Sequence, residues 1–224
     1  MSVESHMESV IVIGAGGHAR SVIAVLLVGS QWSVAGLIDK DSTERGQKVL
    51  GFELLGGMEC LEDLRRSGLT RAAIAIGDNG TRGRLANEIE SLGFELVNVI
   101  HPAAHIMAAA SIGNGAFIHA NSVIGPGCRI GHTLILQPMC TIGHESVIGN
   151  SVQFCPGVHV GGKAHIGDHC FFGPGAVIYP GVSIGHDVSV GANSVIHRDL
   201  PNRVVVTGNP ARLARRESFS KNGA

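Results

Sequence analysis

Two short stretches of the 224-residue chain place reactive side chains at spacings that could do chemistry. In Ile142-Gly-His144-Glu145-Ser-Val-Ile148-Gly149 an imidazole is followed directly by a carboxylate. A histidine titrates in the range needed to take a proton from an attacking nucleophile, and an adjacent carboxylate can orient the ring. The second stretch is Gly14-Ala-Gly16-Gly17-His18-Ala19, which follows the apolar run Ser9-Val-Ile-Val-Ile and precedes Val22, Ile23, Leu26 and Leu27 at helical spacing. A glycine-rich turn from strand to helix leaves the first helical N–H groups open to phosphate oxygens. Asp39 ends the next expected strand, Trp32 to Ile38, where such folds set an acid against a ribose, and Lys40 follows it. Gly77-Asp78-Asn79 ends a further strand, Arg71 to Ile76. The binding set is therefore Gly16, Gly17, His18, Asp39, Lys40, Gly77, Asp78 and Asn79, suited to a nucleotide-bearing substrate. A purely structural tight turn is the alternative. NAD is disfavoured, because the segment holds barely one mononucleotide-binding half.

These residues need two kinds of scaffold. From residue 9 to about 100, strand and helix alternate, which implies a parallel sheet with crossover helices in a small Rossmann-like α/β domain. Short helices are expected around Met58–Leu64 and Leu85–Leu92, and a strand over Phe94–Ile100. Over 101–216 the rhythm changes. Sixteen large hydrophobic residues stand six apart from Ile106 to Ile196, each followed four positions later by a small or apolar side chain. Gly directly follows the large residue in ten hexads. Period six over such a length predicts a parallel β-helix, with three hexads closing a triangular coil of eighteen residues. The large residue should fill the interior, and the glycine should permit unusual corner angles. Open coil ends need covering; Val204–Arg216 is the expected cap at one end and the N-terminal domain at the other. Residues 1–8 read as a leader outside the fold.

Composition narrows the function. The net charge of −1, without a long basic run, points away from nucleic acid and anionic membranes. Five cysteines show no paired spacing; Cys128, Cys140 and Cys170 fall at the small inward position of the repeat, where thiols act as small hydrophobes. No apolar run has membrane-spanning length, so the chain reads as soluble and cytoplasmic.

A nucleotide-binding-like domain with the GAGGH turn, an unbroken hexapeptide coil and a terminal Gly208-Asn-Pro-Ala211 together resemble the bacterial hexapeptide acyltransferases of amino sugars. This group includes nucleotide-sugar N-acetyltransferases and sialic acid O-acetyltransferase-like proteins. The resemblance spans residues 9–213, and His144-Glu145 looks like the family's catalytic pair. It implies a left-handed coil, a homotrimer with active sites between adjacent prisms, and acetyl-CoA in the groove between them. It also implies that the N-terminal domain holds the nucleotide-linked amino sugar so that its amine reaches His144. By the same resemblance the N–H of Gly162, eighteen residues beyond His144, would receive the oxyanion. Gln153, Gly173, Pro174, Gly191 and Ala192 would line the cofactor. Family members often carry histidine where Gln153 stands, and glutamine cannot act there as an acid or base.

The expected function is acetyl-CoA-dependent N-acetylation of a nucleotide-linked amino-deoxy sugar for surface glycan biosynthesis, with no metal. O-acetylation of a sialic-acid-like sugar by the same base stays open. Zinc hydratases built on this coil use two histidines five residues apart, a spacing absent here. A serine acetyltransferase would need a helical N-terminal domain. A coil without chemistry remains as the non-enzymatic reading.

Overall fold

The computed structural model describes residues 8–29, 31–40 and 46–214. The N-terminal domain is a sheet in the order β3-β4-β2-β1-β5-β6. Its strands are β1 (Glu8–Ile13), β2 (Trp32–Ile38), β3 (Lys48–Val49), β4 (Phe52–Gly56), β5 (Arg71–Ile74) and β6 (Glu95–Leu96). All pairings are parallel except the β3–β4 hairpin. Helices α1 (Gly17–Val28), α2 (Leu61–Arg66) and α3 (Asn79–Ser91) make the crossovers. Val10 and Val12 of β1 pack with α1, and Ile11 and Ile13 pack on the opposite side with α2 and α3. That alternation is what a strand buried on both faces requires.

Three differences from the expected elements have simple causes. Glu8, expected in the leader, is the first residue of β1, and its carboxylate pairs with Arg71 at 2.7 Å; residues 1–7 lie outside the described residues. The single strand expected over Phe94–Ile100 divides, because Glu95–Leu96 completes the N-terminal sheet while Val99–Ile100 begins the coil. The β3–β4 hairpin had no period to reveal it; its turn rests on Leu50 and Gly51, both at positive φ.

The coil has three flat faces of two-residue strands. The first holds Val99–Ile100, Phe117–Ile118, Ile135–Leu136, Gln153–Phe154, Phe171–Phe172 and Ser189–Val190; the second begins at His105–Ile106 and the third at Ser111–Ile112. Partners in neighbouring turns are eighteen residues apart, as in Phe117↔Ile135 and Thr141↔His159. The last turn is shorter: Ile184 bridges Leu200 and Ser189 pairs with Val205. Inside, the aliphatic column is interrupted by Phe154 stacked on Phe172 at 4.9 Å. Each such buried side chain contributes about 1.5–3 kcal/mol. Cys128, Cys140 and Cys170 are buried free thiols at the inward small position.

The repeat glycines do different work from that expected. The left-handed residue of each corner stands three past the large one and is often not glycine, as at Asn121, Thr133, Glu145, Ser151 and Asn193. The glycine just past the large residue is needed for close approach. A Cβ on Gly113 would fall 2.8 Å from the carbonyl carbon of Gly131 in the next turn, and one on Gly125 would fall 2.8 Å from His144 N.

The N-terminal domain lies along the first face of the coil rather than over its open end. Val99, Phe117 and Ile135 point outward from that face into the core around α1. Ile106 in the first turn therefore stays 39 % exposed. At the other end Val205–Thr207 and Arg212–Leu213 form an antiparallel closing hairpin around the cis Asn209–Pro210 bond. Residues 215 and 216 of the expected cap lie outside the described residues.

Candidate active site

β1 has β2 on one side and β5 on the other, so the chain reverses direction across the sheet at β1. Ligands of open α/β sheets bind beyond the strand ends at such a reversal. The GAGGH turn leaves β1 there, and Gly77-Asp78-Asn79 leaves the β5 region beside it. Gly14, at φ +113, brings the two together: a Cβ on it would meet Ala75 O at 2.9 Å. Asp39 accepts a hydrogen bond from Ala15 N–H at 2.7 Å, so its carboxylate holds the turn in place, and Lys40 is exposed next to it. Gly16 caps α1 without a side-chain hydrogen bond, and a Cβ on Gly16 or Gly17 would meet nothing within 4 Å. The first turn of α1 thus faces open space, while the first turn of α3 is closed by Asp78, which accepts from Thr81 N–H at 2.8 Å. Those Thr81 hydrogen bonds, with Arg82 nearby, hold the Asp78 carboxyl below its ordinary range.

Two residues expected at the substrate turn toward the coil instead. The His18 imidazole meets the ring of Phe117 edge-on at 4.9 Å. Burial, then Arg82 and His119, pushes its pKa down to about 4, and its buried Nε2 has no partner. Asn79 spends its amide on the carbonyls of His169 and Cys170, and its Oδ1 accepts from Arg82. Both side chains hold the domain to the coil, because the face carrying Phe117 and Ile135 needs a partner surface. For a ligand, Asn79 keeps only its backbone, and His18 its backbone and the unpartnered Nε2.

The coil's corners explain the other set. Two positions past each large residue, the backbone N–H points out of the corner with no ladder partner, and an unpaired buried donor is costly. Six of the chain's eight prolines, at 102, 126, 138, 156, 174 and 180, stand at this position and remove the donor. On the edge between the third and first faces, side chains from the next turn satisfy it. His132 Nδ1 accepts from Asn114 N, Asn150 from His132 N, Asp168 from Asn150 N, His186 Nδ1 from Asp168 N, and Asn202 from His186 N, at 2.7–3.2 Å. Among the described residues, Ala108, His144, Gly162, Ala192 and Arg198 are corner positions whose N–H has no intramolecular acceptor.

His144 and Gly162 stack on the edge between the second and third faces. Oε2 of Glu145 lies 3.1 Å from His144 Nδ1, so Nε2 is the ring atom left to face outward. Glu145 sits at φ +57, which turns its side chain back toward the imidazole. Its carboxyl is held below the ordinary range by the His144 hydrogen bond and by Lys163, whose Nζ is 3.7 Å away. The imidazole lies over Gly162, where a Cβ would come within 2.5 Å of Nε2. A proton acceptor and an open N–H therefore occupy one spot on the surface.

The expected cofactor residues separate from this pair. Gln153 is on the first face between Ile135 and Phe171. Gly173, Pro174, Gly191 and Ala192 form the edge between the first and second faces. The Gly173 and Gly191 N–H groups already donate to Val190 and Val206, which leaves Ala192 as the free backbone donor there. Among the described residues no group of three or more His, Cys, Asp or Glu side chains could hold a metal ion, and no helix is long and apolar enough to cross a membrane. The residue that sequence reasoning missed is Arg82. Its signal was an arginine on the same helical stripe as the buried Leu85, Ala86 and Ile89.

Comparison with known proteins agrees with both halves. Residues 9–89 match the PglD N-terminal domain, and 109–144, 145–179 and 163–198 match the bacterial transferase hexapeptide repeat. PerB from Caulobacter crescentus, solved in complex with CoA and GDP-perosamine, is 36% identical over 92% of this chain and 97% of its own, with a TM-score of 0.87. The acetyltransferase domain of PglB from Neisseria gonorrhoeae, solved in complex with acetyl coenzyme A, is 29% identical over 93% of this chain and 100% of its own, with a TM-score of 0.86. UDP-N-acetylbacillosamine N-acetyltransferase of Bacillus subtilis is 29% identical over 116 residues, so the chain spans about half (52%) of the length of this curated relative. With its PglD-type domain set on a left-handed hexapeptide coil, the chain belongs to the bacterial hexapeptide-repeat sugar acetyltransferases.

Proposed function

We propose that this protein transfers the acetyl group of acetyl-CoA to the amine of a nucleotide-linked amino-deoxy sugar destined for a surface glycan. One observation carries the reading. A single chain combines an open crevice at the phosphate-binding end of α1 with a His–Glu pair over a free N–H, on a fold similar to that of PerB, which was solved with CoA and GDP-perosamine. In the transfer, the neutral amine attacks the thioester carbonyl and a C–N bond forms. His144 Nε2 takes the amine proton, and the Gly162 N–H receives the oxyanion. Collapse breaks the C–S bond, and the imidazolium returns its proton to the leaving thiolate. Glu145 keeps the ring oriented and stabilises its charged form. Gln153, Gly173, Pro174, Gly191 and Ala192 line the path of the cofactor. Gly16, Gly17, Asp39, Lys40, Gly77 and Asp78 receive the nucleotide sugar, with His18 and Asn79 contributing backbone.

The working unit is a homotrimer. His144 stands on the edge opposite the first face, which carries the N-terminal domain, and its side chain is 57 % exposed. A sugar in the crevice of one protomer therefore reaches the imidazole of a neighbour. The reaction belongs in the cytoplasm on this reading, since free thiols suit a reducing compartment that supplies acetyl-CoA. The expected domain limits of 9–100 and 101–216 serve these roles once Glu8 joins the first domain and Val99–Ile100 joins the coil. The test is thiol release from acetyl-CoA with a panel of nucleotide amino sugars and sialic-acid-like acceptors. Turnover that requires the nucleotide and an amine supports the reading; acetylation of a free sugar hydroxyl instead would replace it with O-transfer.

A further inference from the structure

Arg82 is the single charged side chain in the core among the described residues, at 1 % exposure. All five of its N–H bonds end on neutral oxygens. Nε donates to Thr133 O at 2.8 Å, Nη1 to Ile76 O at 3.3 Å and Gly77 O at 2.8 Å, and Nη2 to Asn79 Oδ1 at 2.6 Å and Ser151 O at 2.9 Å. None of the ion pairs among the described residues includes it. The nearest acid to act on it, Asp78, is turned to Thr81 N–H.

Burying a cation without a carboxylate is costly, and carbonyl dipoles solvate its charge without cancelling it. Stapling α3 to the coil would not need that charge. The guanidinium lies directly behind the Gly77–Asn79 turn, one peptide layer from the crevice, where little water screens it. Its field reaches both lips of the crevice, adding to burial in lowering the pKa of His18 on the α1 side and to the Thr81 hydrogen bonds in lowering that of Asp78 on the α3 side.

We propose that Arg82 is the buried countercharge for the substrate's diphosphate, selecting diphosphate-linked sugars without touching them. It is a positioning residue, and its assignment rests on the crevice being the nucleotide-sugar site. Binding of the α1 turn to the diphosphate would bring anion and guanidinium to opposite sides of one turn of backbone. The complex would then be close to neutral, whereas an uncharged sugar would leave the cation uncompensated.

The experiment is calorimetric titration of the full chain with UDP and GDP at low and high salt, beside thermal unfolding. Wild type should bind at least one of them more weakly as salt rises; binding of neither overturns the crevice reading itself. Arg82→Met should bind that diphosphate about tenfold or more weakly with a flattened salt dependence, and Arg82→Lys should stay within about threefold of wild type. Met within twofold of wild type, or Lys as weak as Met, overturns the countercharge role and leaves only the staple. If Arg82→Met does not fold, Ser151 supplies the second route. Ser151→Asp sets a carboxylate on the residue whose carbonyl accepts from Arg82 Nη2, while Ser151→Asn sets a neutral group of the same shape there. A tenfold loss confined to the Asp variant supports the proposal; equal affinities overturn it.

Discussion

The three edges of the coil share one backbone yet treat the same orphan N–H differently. Between the third and first faces a continuous ladder starts at the Asn114 N–H, and the side chains of His132, Asn150, Asp168, His186 and Asn202 each accept from the turn before. Between the second and third faces the series reads Ala108, Pro126, His144, Gly162, Pro180, Arg198, and among the described residues nothing accepts from its four amides, of which His144 and Gly162 are the central two. One edge uses its polar side chains to join turns. The other leaves donors open where an imidazole is oriented, and it is the edge to which the transfer chemistry is assigned. In a repeat, function can stand where the repeat's own hydrogen bonding is left incomplete.

The comparison can be broken from either side. His144→Ala should lower kcat by about 10²–10⁴-fold with the melting temperature unchanged; a variant within threefold of wild type would remove the proposed base. Gly162→Ala keeps the N–H but drives a Cβ toward Nε2, and displacing the ring by an ångström should cost about a hundredfold in kcat. Steady-state rates with unaltered Michaelis constants would identify that displacement.

Stability should also respond to pH through His18. Its folded pKa, about 4, lies below the unfolded value, so the unfolded chain binds more protons between them. Stability is complete above about pH 6.5 and falls as pH drops toward 4, by up to about 3 kcal/mol. Denaturant titrations should show a flatter profile for His18→Gln; identical slopes would mean that the junction is not held by a neutral imidazole. Glu145→Gln should slow turnover less than His144→Ala does, since the ring keeps its base but loses the carboxylate that orients it. The smallest effect belongs to the ladder: Asn150→Ala should cost about 1 kcal/mol and leave kcat alone. A fall in kcat would show that the two edges are not independent.

The coil was legible because its rule is local. A hexad puts Ile142 inside and His144 outside whatever the rest of the chain does, so Gly162 follows one turn later by arithmetic. Glu145 beside His144 needed only adjacency. In the N-terminal domain the GAGGH turn and Asp39 were readable as a phosphate-binding corner. The fates of His18 and Asn79 were not, because each is decided by coil residues far away in sequence. The role of the repeat glycines was misread for the same reason, since what crowds Gly113 is the next turn.

From sequence alone came the period, hence the eighteen-residue turn, the inward column and the neighbouring His144 and Glu145; these depend on side-chain size and spacing along one chain. Tertiary structure alone decided that the N-terminal domain lies on the first face, that His18 and Asn79 serve the junction, and that Arg82 is buried behind the crevice. Those outcomes follow from which surfaces lose water together, and such contacts are long-range and leave no periodic trace in the sequence.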